Sequence, residues 1–522
     1  VNHPEAIHHP LIRTLTNPEI WPHPAAPVEV VETHISYVLL AGEFAYKIKK
    51  ELNLGFLDFS TLELRKHFCE EELRINRRLA PAIYLEVVPI TGSVESPRIG
   101  GSGTVIEYAV KMRRFPAGGL LSRRPEGLTS ELVESVARRV ARFHRTAAVC
   151  GEDQPYGSPE YVLQPMAENF AQIRRLQHTP EVLAQLERLE KWTPQCHAEL
   201  IESLVARKRD GFIRECHGDL HLGNITLVDG EPVIFDAIEF NPGLRWIDTI
   251  NEIAFLVMDL EEKGRPELAQ RALNVYLEES GDFEGLELLR FYLVYRAMVR
   301  AKVAAIRLEQ EVEEGEELFG LRREFHTYLE LAERYTRPPR AALMITHGPS
   351  GAGKSVAARF IATHLPAIQI RSDVERKRLA GMPAWTRTAS GVAEGIYSEE
   401  FSQRTYQRLY ELAGRILAAG FSVVVDAAFL KQERREPFRR LARERGVPFL
   451  ILDLRAPESL LRERLRVRQA AGADPSEADE TVLERQLATA EPLTPKEGLA
   501  AFPVPSDAAP PITVLRQYLF RK

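Results

Sequence analysis

The chain has 522 residues, 44% hydrophobic and 27% charged, a length that makes two to four folding units and an apolar content that excludes global disorder. Its net charge of −6 is unevenly spread. Residues 340–522 carry 28 Lys and Arg against 21 Asp and Glu, which leaves the first 339 residues at −13 and implies two modules with different partners.

In chain order, residues 1–10 are polar and His-rich, without the basic-then-apolar pattern of a secretory signal. Segments 35–40 and 44–49 alternate around Ala41-Gly42-Glu43 as a β-hairpin, with Lys47 and Lys49 on the face opposite Tyr46 and Ile48. Residues 62–79 and 132–147 have helical spacing, and 213–216, 225–228 and 233–235 are short apolar strands around turns. A long helical stretch, 286–333, is stopped by Pro338-Pro339, so a linker and a domain boundary are expected near 338. Beyond it, strands at 342–346, 367–370, 422–426 and 448–453 alternate with helices, the rhythm of a parallel sheet with crossover helices. Residues 471–478 read as a loop between two helices. No run reaches the ~20 apolar residues of a membrane span. Cys69, Cys150, Cys196 and Cys216 form no CxxC pair, which fits a reducing cytoplasm.

Gly348-Pro-Ser350-Gly351-Ala352-Gly353-Lys354-Ser355 matches GxxxxGK[ST] between the 342–346 strand and a helix over 354–364 that carries Val356 in its first turn. Glycines let the backbone curl its N–H groups toward phosphate oxygens, Lys354 suits the β/γ phosphates and Ser355 suits Mg²⁺. Chance matches of this kind arise on the order of once per hundred such chains. Asp373 follows the next strand and is placed to take a proton from a hydroxyl; Asp426 closes another strand, the usual place for a Mg²⁺ or substrate contact. Arg464 and Arg468 share one face of an arginine-rich helix and can close over transferring phosphates as a lid. These segments resemble the small P-loop kinases of the polynucleotide kinase, zeta-toxin and gluconate-kinase-like group, over nearly all of 340–522. The resemblance implies Asp373 as the base. Asp426-Ala-Ala-Phe lacks the polar residues of that group's corresponding segment.

A second constellation lies upstream. Cys216-His-Gly-Asp219 leads to Asn224, and a short strand then ends at Asp236. A carboxylate, an amide five positions on and a second carboxylate are what phosphoryl transfer needs for a base and for Mg²⁺. The loop resembles the Brenner motif of the aminoglycoside phosphotransferase and choline kinase family. By that resemblance Asp219 is the base, Asn224 and Asp236 bind Mg²⁺, His217 fixes the loop, and Asp248 is the later Asp that braces it. Ala141-Arg-Phe-His144 resembles the family's earlier helix ending in His. The family's N-lobe lysine and helix glutamate fall on Lys47, with Lys49 second, and on Glu72, with Glu71 and Glu70 close behind; no GxGxxG precedes them.

The whole resembles bacterial fusions of an aminoglycoside-phosphotransferase-like domain with a P-loop kinase domain. The expected fold is α/β and α+β: a two-lobed kinase-like domain over 1–337 (N-lobe about 30–115, C-lobe about 116–335), then a P-loop domain over 338–522. The expected function is a bifunctional kinase using ATP and Mg²⁺. Its acceptors are a small-molecule hydroxyl at the first site and a small molecule or a nucleotide or nucleic-acid 5′-hydroxyl at the second, with no membrane partner. The competing expectation is a nucleotide-gated switch or toxin-like effector whose N-terminal part is regulatory; it would hydrolyse ATP slowly without an acceptor.

Overall fold

The computed structural model describes residues 8–55, 57–310, 315–384, 386, 395–471, 476, 478–505 and 509–520; the start of the chain and most of the expected 471–478 loop lie outside these. By compactness the chain forms two units, one of residues 1–168 and 201–263, the other of 169–200 and 264–522. This division is not the one the proline linker suggests, because the helices over 264–335 gather with the P-loop sheet.

The first unit is built on a six-stranded antiparallel sheet, in the order Val28–Glu32, Ser36–Ala41, Phe44–Lys49, Val105–Arg113, Tyr84–Gly92, Pro97–Ile99. Alternation sorts its central strand as the sequence suggests. Tyr46 and Ile48 join an apolar cluster with Leu11, Leu15 and Trp21, while Ala45 faces a second cluster with Cys69, Ile83 and Met112. Helix Leu62–Asn76 is started by Thr61, whose side chain accepts the Leu64 N–H, and it buries Cys69, Glu72 and Ile75. Helices Ser130–Thr146 and Thr249–Glu262 carry two small antiparallel ribbons, Ile213–Glu215 with Trp246–Asp248 and Ile225–Val228 with Glu231–Ile234.

The second unit holds a five-stranded, all-parallel sheet in the order Ala367–Arg371, Ser422–Asp426, Leu343–His347, Phe449–Leu454, Ala501–Val504. Its inner strands are buried almost throughout, so they read as unbroken apolar runs rather than alternating ones. The last strand escapes a pattern search because it is four residues long and contains Pro503, which an edge strand tolerates. The expected helical stretch 286–333 is two helices, Leu286–Gln310 and Glu316–Tyr335.

Candidate active sites

In the first unit, the loop from His217 to Asn224 is held from behind by helix Thr249–Glu262. The Glu252 carboxylate accepts the N–H groups of His217 (2.9 and 3.0 Å) and Gly218 (3.1 Å), and Asp259 accepts that of Leu222 (2.7 Å). Gly218 has φ +88°, and a Cβ there would meet the Leu244 carbonyl at 2.7 Å, so only glycine fits. Burial lowers the His217 pKa and keeps the ring neutral; Nδ1 accepts the Asp219 N–H (3.3 Å), so Nε2–H donates to the Phe235 carbonyl (2.8 Å). His217 therefore ties the loop to the strand end before Asp236.

Asn224 Nδ2 donates to both the carbonyl and the carboxylate of Asp219, each at 2.9 Å. Asp236 sits at φ +64°, an uncommon conformation for a non-glycine residue, and its N–H donates to the Tyr84 hydroxyl (3.1 Å). Its carboxylate accepts from Lys47 Nζ at 2.7 Å, and the same ammonium is 2.9 Å from Glu72. Lys49 also reaches Glu72 (2.7 Å) and pairs with Glu239. Burial pushes the Glu72 carboxyl up, but the two ammoniums outweigh it and hold it below the usual range. Glu71 turns instead to Arg74 and Arg245, and Glu70 to Lys66. Asp219, Asn224 and Asp236 offer the hard oxygens that Mg²⁺ takes.

Asp248 does not do what its resemblance implies. Its carboxylate grips Arg207 (2.6 and 2.7 Å) and caps helix Thr249–Glu262, while Glu252 and Asp259 do the bracing. His144, Cys216 and Glu252 bring one potential ligand atom each within 4.8 Å of one another. Both Glu252 oxygens already serve loop amides, and burial raises the Cys216 thiol, disfavouring the thiolate a metal would need, so the trio suits a packed scaffold better than a metal centre.

In the second unit, the loop 348–355 turns at three glycines of positive φ. A Cβ on Gly348 would meet the Leu454 carbonyl at 2.5 Å and one on Gly351 the Leu461 carbonyl at 2.7 Å. A cavity of about 500 Å³ opens over the loop, lined by Ser350, Gly351, Gly353, Lys354, Ser355 and Val356. Asp373, Asp426, Arg464 and Arg468 line it too. The sequence thus gathers distant residues into one site, but Gly348 and Ala352 shape the loop without lining the cavity; Ala352 is in the apolar core. Lys354 Nζ donates to the Pro349 carbonyl (2.8 Å); burial pulls its pKa down to about 8 against the opposing pull of Asp426 and Asp373. Burial raises Asp426, opposed by Arg371 and by a hydrogen bond with Ser355, and these two oxygens at the lysine's side suit Mg²⁺. Pattern matching missed Arg376, Arg434, Arg485 and Gln486, which also line the cavity. Gln486 Oε1 accepts the Ser350 N–H at 2.7 Å, occupying a donor of the phosphate-type cradle. No local motif marks Arg434, Arg485 and Gln486, which come from helices Gln432–Glu444 and Glu480–Thr489, whereas Arg376 follows Asp373 by three positions on helix Ser372–Leu379.

The model of the phosphotransferase enzyme family matches residues 62–292, and that of an AAA domain matches 343–493. Uncharacterized proteins of Mycobacterium tuberculosis and Mycobacterium bovis are 31% identical to this chain over 451 residues, 86% of it and 87% of theirs. The chain belongs to their family, which fuses a phosphotransferase domain to a P-loop kinase domain. As a member of this fusion family it is an ATP-dependent kinase, and its mixed α/β architecture is the expected one. Among solved structures, a choline/ethanolamine kinase family protein from Mesorhizobium loti is 10% identical, with 61% of this chain and 90% of that one covered and a TM-score of 0.38. A gluconokinase from Sinorhizobium meliloti is 24% identical, with 35% and 91% covered and a TM-score of 0.24. No described helix is long and apolar enough to cross a membrane.

Proposed function

We propose that this fusion kinase is bifunctional, each unit moving the γ-phosphoryl group of ATP to its own hydroxyl acceptor. The observation that carries this reading is that each unit holds a base carboxylate, a lysine and Mg²⁺-suited oxygens of its own. Lys47, Glu72, Asp219, Asn224 and Asp236 all lie in the first, and Lys354, Ser355, Asp373, Asp426, Arg464 and Arg468 in the second.

In the first site Asp219 accepts the proton of a small-molecule hydroxyl, Lys47 holds the α/β phosphates against Glu72, and Asn224 and Asp236 hold Mg²⁺. In the second, Asp373 accepts the proton of a small molecule or of a nucleotide or nucleic-acid 5′-hydroxyl. There the loop amides and Lys354 hold phosphates, Ser355 and Asp426 hold Mg²⁺, and Arg464 and Arg468 take up charge as the phosphoryl group moves. Bound Mg²⁺ supplies neutralisation of the phosphate charge in both.

The test is γ-labelled ATP and Mg²⁺ with a fractionated bacterial small-molecule extract and 5′-hydroxyl oligonucleotides, run on the wild type, Asp219→Ala and Lys354→Ala. Each variant should erase one set of labelled acceptors and spare the other. If one substitution silences all turnover, two independent sites are ruled out. If only inorganic phosphate is labelled and only Lys354→Ala stops its release, the second unit is a nucleotide switch instead.

A further inference from the structure

Strand Ala367–Arg371 is an outer strand of the parallel sheet and runs directly into Ser372-Asp373. An edge strand presents a row of unpaired backbone groups, but here a helix covers them with side chains. Asn274 acts as a neighbouring strand would: Nδ2 donates to the Ala367 carbonyl (3.0 Å) and Oδ1 accepts the Gln369 N–H (2.7 Å). Gln270 Nε2 donates to the same Ala367 carbonyl at 2.8 Å. One turn on, Glu278 accepts from Arg371 Nη1 (3.3 Å) with its carboxylate and from Arg378 Nη2 (2.6 Å) with its backbone carbonyl.

Residues 270, 274 and 278 recur every four positions and so form a polar stripe along one face of helix Pro266–Ser280. The Asn274 bonds are dry, since Asn274 and Gln369 are each 6% exposed, and a buried polar group left unpaired is costly; at the Glu278 bond Arg371 is enclosed while the Glu278 side chain is 24% exposed. The strand gripped in this way carries two contacts to Asp426: Gln369 Nε2 donates to it at 3.2 Å, and Arg371 Nε stands 3.7 Å from it. Asp426 and Asp373 are thus set by a strand whose outer edge is held by the stripe.

Helix Pro266–Ser280 precedes the proline linker and falls inside the stretch matched by the phosphotransferase family, outside the 343–493 match. We propose that its Gln270–Asn274–Glu278 stripe is a positioning device of the P-loop kinase, so that a piece of the first family domain sets the metal-side carboxylate and the base of the second active site. This rests on the reading of Asp426 and Asp373 as the P-loop site's metal and base groups.

The test uses the full chain, a fluorescent ATP analogue with and without Mg²⁺, and hydrogen exchange of the 367–371 segment. Asn274→Ala and Glu278→Ala should keep the Mg²⁺-free affinity within about twofold, because the loop 348–355 is untouched. They should lose about tenfold of the affinity gained with Mg²⁺, since a misplacement of roughly 1 Å at a site is that costly or more. Exchange of 367–371 should quicken in Asn274→Ala. Glu278→Gln, which keeps an acceptor for Arg371, should restore most of the Mg²⁺ gain and guards against a variant that merely unfolds. Asp426→Ala is the control. If it abolishes the gain while Asn274→Ala and Glu278→Ala retain it with unchanged exchange, the positioning role is overturned. If Asp426→Ala itself leaves the gain intact, the reading of the P-loop site fails instead.

Discussion

Lys47 and Lys49 share the carboxylate of Glu72 but end on different second partners, and this separates their roles. Losing Lys47 leaves Asp236, whose side chain is 44% exposed and open to water, and leaves the buried Glu72 still paired with Lys49 at 2.7 Å. Lys49 is wholly enclosed between Glu72 and Glu239, which are 0% and 3% exposed. Lys47→Met should therefore abolish transfer at the first site with little change in urea midpoint. Lys49→Met should cost about 3–5 kcal/mol of stability, the usual result of stripping a buried pair of one partner. Equal destabilisation by both would show that Lys47 is structural too. In the second site, burial pulls the Lys354 pKa down to about 8, so the ammonium that attracts phosphate is present below that pH and is lost above it. Nucleotide affinity should be level up to about pH 8 and then fall by up to about tenfold per pH unit, with a proton taken up on binding. Calorimetry in two buffers of different ionisation enthalpy reads that proton. A level affinity to pH 10 with no proton uptake would mean that phosphate does not meet Lys354.

At the scale of elements, the two arginine-bearing helices over the P-loop form one piece. Arg462 and Arg466 on helix Glu458–Ala471 pair with Glu480 and Glu484 on helix Glu480–Thr489, and Arg468 donates to the Ala478 carbonyl. That piece is hooked to the phosphate loop by Gln486 on the Ser350 N–H. A phosphate oxygen that needs the same N–H must displace the carboxamide. Gln486→Ala should then tighten nucleotide binding several-fold, by about the worth of one hydrogen bond, as read by fluorescence titration; weaker binding would make Gln486 a nucleotide contact instead. This hook could not be read from the sequence, because Gln486 is 136 positions from its partner. What was legible were elements whose apolar pattern reports burial: the hairpin with its lysine face and the helices at 62 and 132 by their periodicity, and four of the five parallel strands by their unbroken apolar runs. The loops carrying Asp219 and Lys354 were legible as well, since their spacing is set by chemistry within one turn of chain. Glu252 and Asp259, which hold the Asp219 loop, sit on a helix that is buried on almost every side, where a carboxylate carries no pattern.

For the whole molecule, the proline linker near 338 marks a change of sequence family better than a change of folded body. The helices Pro266–Ser280, Leu286–Gln310 and Glu316–Tyr335 lie in the same compact unit as the P-loop sheet. Leu286–Gln310 alone buries Phe291, Tyr292, Val294 and Met298 almost completely. Cutting the chain at 337/338 removes these helices from the sheet and bares the outer edge of strand Ala367–Arg371, with the Ala367 carbonyl and Gln369 N–H losing Asn274. An uncovered edge strand invites pairing with other chains, and the apolar faces left behind add to that tendency. The 338–522 fragment should accordingly aggregate when expressed alone, and the same fragment co-expressed with 1–337 should be recovered as a soluble pair that binds ATP. Size-exclusion chromatography and a thermal melt distinguish the outcomes. A monomeric 338–522 fragment, with one cooperative transition and the nucleotide affinity of the full chain, would show that the P-loop kinase is complete without the helices before it.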